Sequence, residues 1–343
     1  MKKNKPKRRH ALDRAIVRVP VELAMRWCAF WWTVFGPAWA YFWARRVASL
    51  GWLLMPKLRG YSLRNVDLCF PEKDVRERNR IARLGFRHSV YQFVDYLLIP
   101  RHFTPGKHSP RFHSDVNEQE FLDWYRKPEA VFNLTAHIGN FEIVTFNIGR
   151  SPDHLPLTLI AKPVKPPLLD HWLVRARNAL GNECVKADEG GRAYLRAIKE
   201  KRQVGTLVDQ NGGDFAPVET FFGVPCTWQT DFTRLVLRAG GNVSFHFCVR
   251  EGDRFQFKFL PPETHTYPQG TDPMQIVRDY RDAVERVVRE YPEQYFWVHR
   301  RFKARKKGWP DRYANLGQRL TPDTRAAMLN VPGFTSQGQD GVA

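Results

Sequence analysis

From residue 131 onward the chain alternates short apolar runs with stretches of helical pattern, and this rhythm narrows its fold more than any other feature. The apolar runs lie at 130–135, 156–161, 182–186, 203–208, 242–249 and 254–260. Segments 141–149, 166–180, 190–200, 228–239 and 273–290 read as helices. Strands and helices alternating at this spacing predict an α/β fold: a mostly parallel sheet flanked by helices, with the last strand pair antiparallel. Upstream, 47–100 reads as helical, with a charged run at 72–83 entering an amphipathic stretch that ends near Ile99. Residues 101–128 form a polar connection containing Pro and His.

In such sheets the reactive groups collect at strand ends. One strand end is Val131-Phe-Asn-Leu-Thr-Ala-His137, followed by Gly139-Asn140 and then Glu142. Histidine accepts a proton near neutral pH, and a neighbouring carboxylate can fix its tautomer. Spacing alone is weak evidence, because His113/Glu118 and His246/Glu251 share it. His246 sits inside a strand pattern, where an odd separation puts the two side chains on opposite faces. His113 has no strand leading into it. A regular helix would turn residues i and i+5 about 140° apart, so a His137–Glu142 pair needs a non-helical link, for which Gly139-Asn140 is suited. A histidine merely hydrogen-bonded to backbone remains the alternative. The second strand end is Val208-Asp209-Gln210-Asn211-Gly212, where Asp209 can orient a basic group or a hydroxyl, or else close an Asx-turn.

The chain has 54 Lys and Arg against 35 Asp and Glu, a formal charge of +19. Residues 1–64 hold 14 of the basic residues and two acids, so most of the excess lies at the N-terminus. The five cysteines are scattered without a CxxC pair, which fits a reducing compartment and argues against a zinc site or a disulfide framework. G-x-S-x-G, Walker A and G-x-G-x-x-G patterns are missing. These readings lead us to expect neither a metal nor a cofactor. A nucleic-acid role has only the basic arm in its favour, with no recognised reading motif.

The basic arm Met1–Arg9 precedes Trp27–Ala44, 18 residues without a charge, bracketed by Arg26 and Arg45-Arg46. That length just reaches a bilayer core. Its Trp and Tyr favour the interface, and Gly36-Pro37 should kink or break a helix, so a tilted, re-entrant or interfacial anchor competes with a simple span. The organisation expected is a basic arm and aromatic membrane anchor over 1–60, a catalytic domain over 61–313, and a polar, frayed tail over 314–343.

Taken together and in order, five segments resemble the late lipid A biosynthesis (lauroyl/myristoyl) acyltransferases, within the lysophospholipid acyltransferase-like group. They are Asn65-Val-Asp-Leu-Cys-Phe-Pro-Glu72, His137-Ile-Gly-Asn-Phe-Glu142, Lys162–Asp170, Val208-Asp-Gln210 with Thr220–Pro225, and Gln294–Lys303. The resemblance runs from about Leu50 to Tyr313. It implies acyl transfer from acyl carrier protein or a coenzyme A thioester to a hydroxyl of an anionic, lipid A precursor-like membrane glycolipid. It also implies a bacterial inner-membrane location with the catalytic domain facing the cytoplasm. In these terms His137 is the general base and Glu142 its orienting partner. Asn140, Lys162, Arg177, Asp209, Gln210, Arg300 and Arg301 are the residues expected at the substrates. Lys162 stands where the family usually has arginine, a point charge in place of a bidentate fork, which bears on the acceptor's identity. The basic run Arg300–Lys307 reads either as a solvated face or as a contact for an acidic carrier or anionic headgroups. Two alternatives stay open: an acyltransferase for a different membrane lipid, and a catalytically idle, basic membrane-binding relative.

Overall fold

Six strands form the sheet that carries the candidate site. The computed structural model describes residues 7–102, 109–114, 131–148, 157–161, 163, 167–178, 182–186, 190–304, 306–332 and 334. Outside these fall Lys162, Glu118, Arg305, the first six residues of the basic arm, most of the 101–128 connection and the end of the tail. The helices before the sheet are α1 (Lys7–Leu54), α2 (Pro56–Cys69) and α3 (Val75–His102). Strand β1 (Phe112–Ser114) follows, then β2 (Phe132–Thr135), α4 (Phe141–Ile148), β3 (Leu157–Ala161), α5 (Pro167–Asn178), β4 (Glu183–Lys186), α6 (Gly190–Lys199) and β5 (Gln203–Leu207). The chain continues through β6 (Val218–Phe221), β7 (Val224–Thr227), α7 (Thr233–Arg238), β8 (Asn242–Phe245), β9 (Cys248–Arg250), β10 (Phe257–Phe259), β11 (Glu263–Thr266), α8 (Pro273–Glu290) and α9 (Pro322–Leu329).

The large sheet has the order β11-β8-β2-β5-β3-β4, in which β8, β2, β5, β3 and β4 run parallel and β11 closes one edge antiparallel. Every residue of β2 and β8 is buried, as expected for strands covered on both faces. The sheets are mixed, and not plainly parallel as the rhythm alone suggested. The apolar run 242–249 is two strands: β8 stays in the large sheet, while β9 crosses into a small sheet of order β1-β10-β9. There β9 and β10 pair antiparallel, the arrangement expected of the last pair. The β6–β7 hairpin escaped the sequence reading because Pro217, Pro225 and polar residues interrupt its apolar pattern.

Helix α8 buries Ile276, Val277, Tyr280, Ala283, Val284, Val287 and Val288, a 3-and-4 spacing that presents one face to the core. The Asp272 side chain accepts from the Met274 N–H at 3.0 Å, and Pro273 occupies the first turn, so the helix begins where its orphan donors are met.

Much of the segment expected to fray from 314 is instead packed on α2. Arg64 donates to the carbonyls of Arg312 at 2.7 Å, Ala314 at 3.1 Å, Asn315 at 3.0 Å and Gln318 at 3.2 Å. Arg319 pairs with the buried Asp67, and Arg325 donates to the Leu68 carbonyl at 3.1 Å. Guanidinium groups tie this segment down together with a few apolar side chains, Leu316 against Gly60 and Leu320, Met328 and Leu329 against the core. The few apolar residues are spread among polar ones, so hydropathy gave little sign of it.

Helix α1 leaves helical geometry at Gly36 (φ 78°, ψ 178°), where the Gly36-Pro37 pair was expected to interrupt it. Met25, Ala29, Trp32, Ala40, Tyr41, Ala44 and Ala48 are buried, several of them against α3. Val19, Leu23, Trp27, Phe30 and Val34, then Trp43, Val47, Leu50 and Leu54, lie exposed at the same helical spacing. The helix is thus apolar on the face that packs and also on the face that does not. Among the described residues no helix is long and apolar enough to cross a membrane.

Candidate active site

The parallel pairing of β2 with β5 brings the two chemical strand ends together. Thr135 lies opposite Leu207, so two residues further along His137 arrives level with Asp209. The contact follows: His137 Nδ1 is 2.7 Å from Asp209 Oδ1, and the His137 backbone N–H donates to Oδ2 at 3.0 Å. The same carboxylate fixes both the ring and the backbone that carries it. Burial of Asp209 favours its neutral form, but the His137 charge, ring N–H and backbone N–H outweigh that and hold its pKa below the ordinary value.

An ionised carboxylate only accepts, so Nδ1 carries the ring proton and Nε2 presents its lone pair. The Gln210 amide Nε2 lies 3.0 Å from that nitrogen, in position to donate to it. The His137 side chain is 20% exposed, against 1% for Asp209, which places the lone pair toward solvent and the counter-charge beneath it. Phe141 and Phe296 flank the imidazole, with ring centroids 4.9 and 6.0 Å away. Among the described residues its hydrogen-bond partners are Asp209 and Gln210, neither of them a nucleophile.

The turn after His137 is held by main-chain bonds from three directions. Gly139 N–H donates to Gln294 O at 3.1 Å, Asn140 N–H to Cys248 O at 2.8 Å, and Phe296 N–H to His137 O at 2.9 Å. Gly139 adopts φ 55°, and a Cβ there would collide with the Cys248 carbonyl oxygen. Only glycine fits both conditions.

Glu142 does not reach His137 as its orienting partner. Its carboxylate takes a two-pronged contact from Arg177, with Nε on Oε2 at 2.9 Å and Nη2 on Oε1. Helix α4 begins directly after Asn140 and carries Glu142 away from the turn, toward α5. Both partners are buried, so Arg177 braces α5 against α4 and is not presented to a substrate. Burial opposes the Arg177 charge, and the Glu142 carboxylate more than compensates and raises its pKa.

Asn140 is fully buried and its amide is engaged at both ends. Its Oδ1 accepts from the N–H groups of Glu142 at 3.1 Å and Ile143 at 3.2 Å, capping α4, and its Nδ2 donates to Asp95 at 2.7 Å. Asn140 therefore builds the turn from a fully buried position.

The basic run splits by burial. Arg301 is 2% exposed, donates to Thr227 O at 2.7 Å, lies 4.3 Å from the Trp228 ring centroid, and helps depress the Asp209 pKa. It is an internal cation below the site, not part of a solvated patch. Arg300 is exposed over the Tyr61 ring, and Lys303 and Lys307 are exposed as well.

Two further groups border the site. Burial, and after it the charge of nearby Asp209, raises the pKa of Tyr295. His299 has a buried Nε2 without a partner among the described residues, and burial lowers its pKa to about 4 despite the pull of Asp209. The sequence placed His299 in the last of the five segments but assigned it no role. Its burial beside Asp209, His137 and Arg301 is assembled only in three dimensions. Among the described residues no group of three His, Cys, Asp or Glu side chains could hold a metal ion.

Comparison with known proteins places these features together. The model of the bacterial lipid A biosynthesis acyltransferase family matches residues 16–304. The lipid A biosynthesis lauroyltransferase of Escherichia coli (strain K12) is 25% identical over 254 residues, covering 73% of this chain and 80% of that protein. The lipid A biosynthesis palmitoleoyltransferase of the same organism is 24% identical over 296 residues, 81% of this chain and 93% of that protein. A lipid A biosynthesis acyltransferase of Haemophilus influenzae (strain ATCC 51907 / DSM 11121 / KW20 / Rd) is 24% identical over 71% of this chain and 76% of its own length.

Proposed function

Because the chain belongs to the bacterial lipid A biosynthesis acyltransferases and is therefore an acyltransferase, we propose that it moves a fatty acyl chain from a thioester to a hydroxyl of a lipid A precursor-like glycolipid. His137 is the general base. The observation that carries this reading is the 2.7 Å contact between His137 Nδ1 and the buried Asp209. It leaves Nε2 free to take a proton from a hydroxyl.

The acceptor hydroxyl takes the place of the Gln210 amide at Nε2 and gives up its proton as its oxygen attacks the thioester carbonyl. The imidazolium that forms is stabilised by Asp209, whose charge is retained throughout. The tetrahedral oxyanion needs donors, and the displaced Gln210 amide is well placed to be one. Collapse of the intermediate breaks the carbon–sulfur bond, and the proton held on His137 goes to the departing thiolate. The acyl group passes directly from sulfur to oxygen, so no acyl-enzyme is required. Glu142 acts at a distance, by locking α4 to α5 through Arg177.

The donor in this reading is acyl carrier protein or coenzyme A, with the exposed Arg300, Lys303 and Lys307 meeting its anionic surface. The unpartnered face of α1, rich in Trp and Phe and bordered by Arg26, Arg45 and Arg46, lies on the cytoplasmic surface of the inner membrane beside the acceptor.

The test is acyl transfer by the purified chain, supplied with acyl-acyl carrier protein or acyl-coenzyme A and a lipid A precursor, read by mass spectrometry of the lipid. One acyl addition by the native chain and none by His137→Ala is the expected result. A folded His137→Ala variant that retains native turnover removes the base from the mechanism. A native chain inactive on every glycolipid acceptor rejects the substrate class.

A further inference from the structure

The interruption of α1 at Gly36 opens a cavity of about 360 Å³ between that helix and the turn joining β9 to β10. Pro37, Tyr41 and Phe255 line it with apolar surface. Three guanidinium-bearing residues, Arg45, Arg111 and Arg254, line it as well. Among the described residues none of these three takes part in an ion pair. The one carboxylate in the lining, Asp253, is held by Arg87 at 3.0 Å and so offers the three cations little compensation.

Three cations converging on one pocket repel one another, and a multiply charged anion with several acceptor oxygens relieves that repulsion. A phosphoryl group has that chemistry. Much of the remaining lining, Pro37, Ala38, Tyr41 and Phe255, is apolar. A ligand with a phosphate at one end and hydrocarbon at the other matches both halves of the site.

We propose that this cavity binds the phosphoryl headgroup of a membrane lipid, at a site separate from His137 and formed by Arg45, Arg111 and Arg254 around the α1 break. The lipid part of the inference rests on the reading that the apolar face of α1 lies on a membrane. The cavity also shares a wall with the catalytic turn. The Tyr41 ring lines it, the Tyr41 hydroxyl donates to Asp95, and Asp95 accepts from the Asn140 amide that caps α4. A bound headgroup thus sits one residue away from the network that holds the turn after His137.

The experiment is calorimetric titration of the full chain in dodecyl maltoside with dioctanoyl phosphatidic acid, dioctanoyl phosphatidylcholine and inorganic phosphate. Phosphatidic acid should bind saturably at one site, phosphatidylcholine more weakly, and inorganic phosphate weakest. The triple variant Arg45→Gln/Arg111→Gln/Arg254→Gln should weaken phosphatidic acid binding at least about tenfold, the loss of one charge-assisted hydrogen bond. Arg46→Gln should leave it unchanged, because Arg46 lies over the Phe42 ring and outside the cavity. Should the triple variant fold poorly, Arg254→Gln alone, at an exposed position, should still weaken binding at least about threefold. Unchanged affinity in these variants, or inorganic phosphate binding as tightly as phosphatidic acid, overturns the proposal. Acyl transfer measured on the same preparations separates the two readings: turnover that persists without phosphatidic acid binding rejects the cavity and leaves the proposed chemistry standing.

Discussion

Replacing Asp209 by asparagine preserves shape and removes one charge from under His137. The carboxylate accepts from two donors at once, the ring Nδ1–H at 2.7 Å and the backbone N–H at 3.0 Å. An amide has one oxygen for these two donors. If that oxygen stays on the backbone, the amide NH2 faces Nδ1, the ring proton moves to Nε2, and the lone pair that must receive the hydroxyl proton is lost. If the oxygen stays on the ring, the NH2 opposes the backbone N–H at a position that is 1% exposed. The second arrangement leaves a buried donor unmet, a cost of about 1–3 kcal/mol in stability. Both also remove the counter-charge of the imidazolium. Positioned general acid–base catalysis contributes roughly 10²- to 10⁴-fold, so kcat should fall by about that factor while KM for each substrate stays within about threefold. The assay is steady-state acyl transfer with thioester donor and glycolipid acceptor, alongside a melting curve for each variant. A folded Asp209→Asn enzyme with kcat within about fivefold of native would falsify the claim that this carboxylate sets the tautomer of His137.

The remaining predictions concern what surrounds the dyad. Arg177→Met should destabilise by about 3–5 kcal/mol by stranding buried Glu142, whereas Glu142→Leu/Arg177→Met should recover much of the loss and most turnover. A folded double variant without activity would place Glu142 in the chemistry. Gly139→Ala should cost about 2–4 kcal/mol from left-handed strain and the clash with Cys248, with a parallel loss of kcat, and an unperturbed melting temperature refutes it. Burial holds His88 and His246 neutral with pKa values of about 3, and His299 at about 4, while the unfolded chain titrates near the ordinary value of about 6.5. Their stabilisation is complete above the unfolded pKa and shrinks as pH falls, by about 1.4 kcal/mol per pH unit for each histidine until its folded pKa is reached. The melting temperature should therefore drop between pH 7 and pH 5, and a flat profile contradicts the neutral burial. Replacing Trp27, Phe30 and Trp43 together by Gln should lower flotation with anionic vesicles at least about tenfold, since burying even one such side chain contributes about 1.5 kcal/mol or more. Unchanged flotation would take α1 off the membrane.

What was legible in the sequence, and what was not, divides by the range of the interactions involved. The central strands, α4, α5, α6 and α8 followed from local periodicity, because their apolar residues report burial directly. The packing of the segment after 311 on α2 was illegible: the buried Arg64 reads as a surface charge until its four carbonyl partners are assembled around it. Arg301 was misjudged for the same reason. Its three-residue neighbourhood is basic, but its side chain goes under Trp228.

His137 and Asp209 each stood out alone as a polar residue ending an apolar strand, yet nothing local joined them across 72 positions. Glu142 was the nearer carboxylate, and the sequence favoured it on proximity. Proximity misled because β5 inserts between β2 and β3, although β3 is the next of these strands in the chain. That crossover seats Val208-Asp209 beside Ala136-His137, while the cap at Asn140 starts α4 and turns Glu142 toward Arg177. The choice between the two carboxylates is thus made by strand order, and a five-residue spacing contains no information about strand order. Where a short motif ends a parallel strand, the partner of its histidine is best sought at the end of the neighbouring strand in the sheet, which is the topological switch point where such folds gather their chemistry.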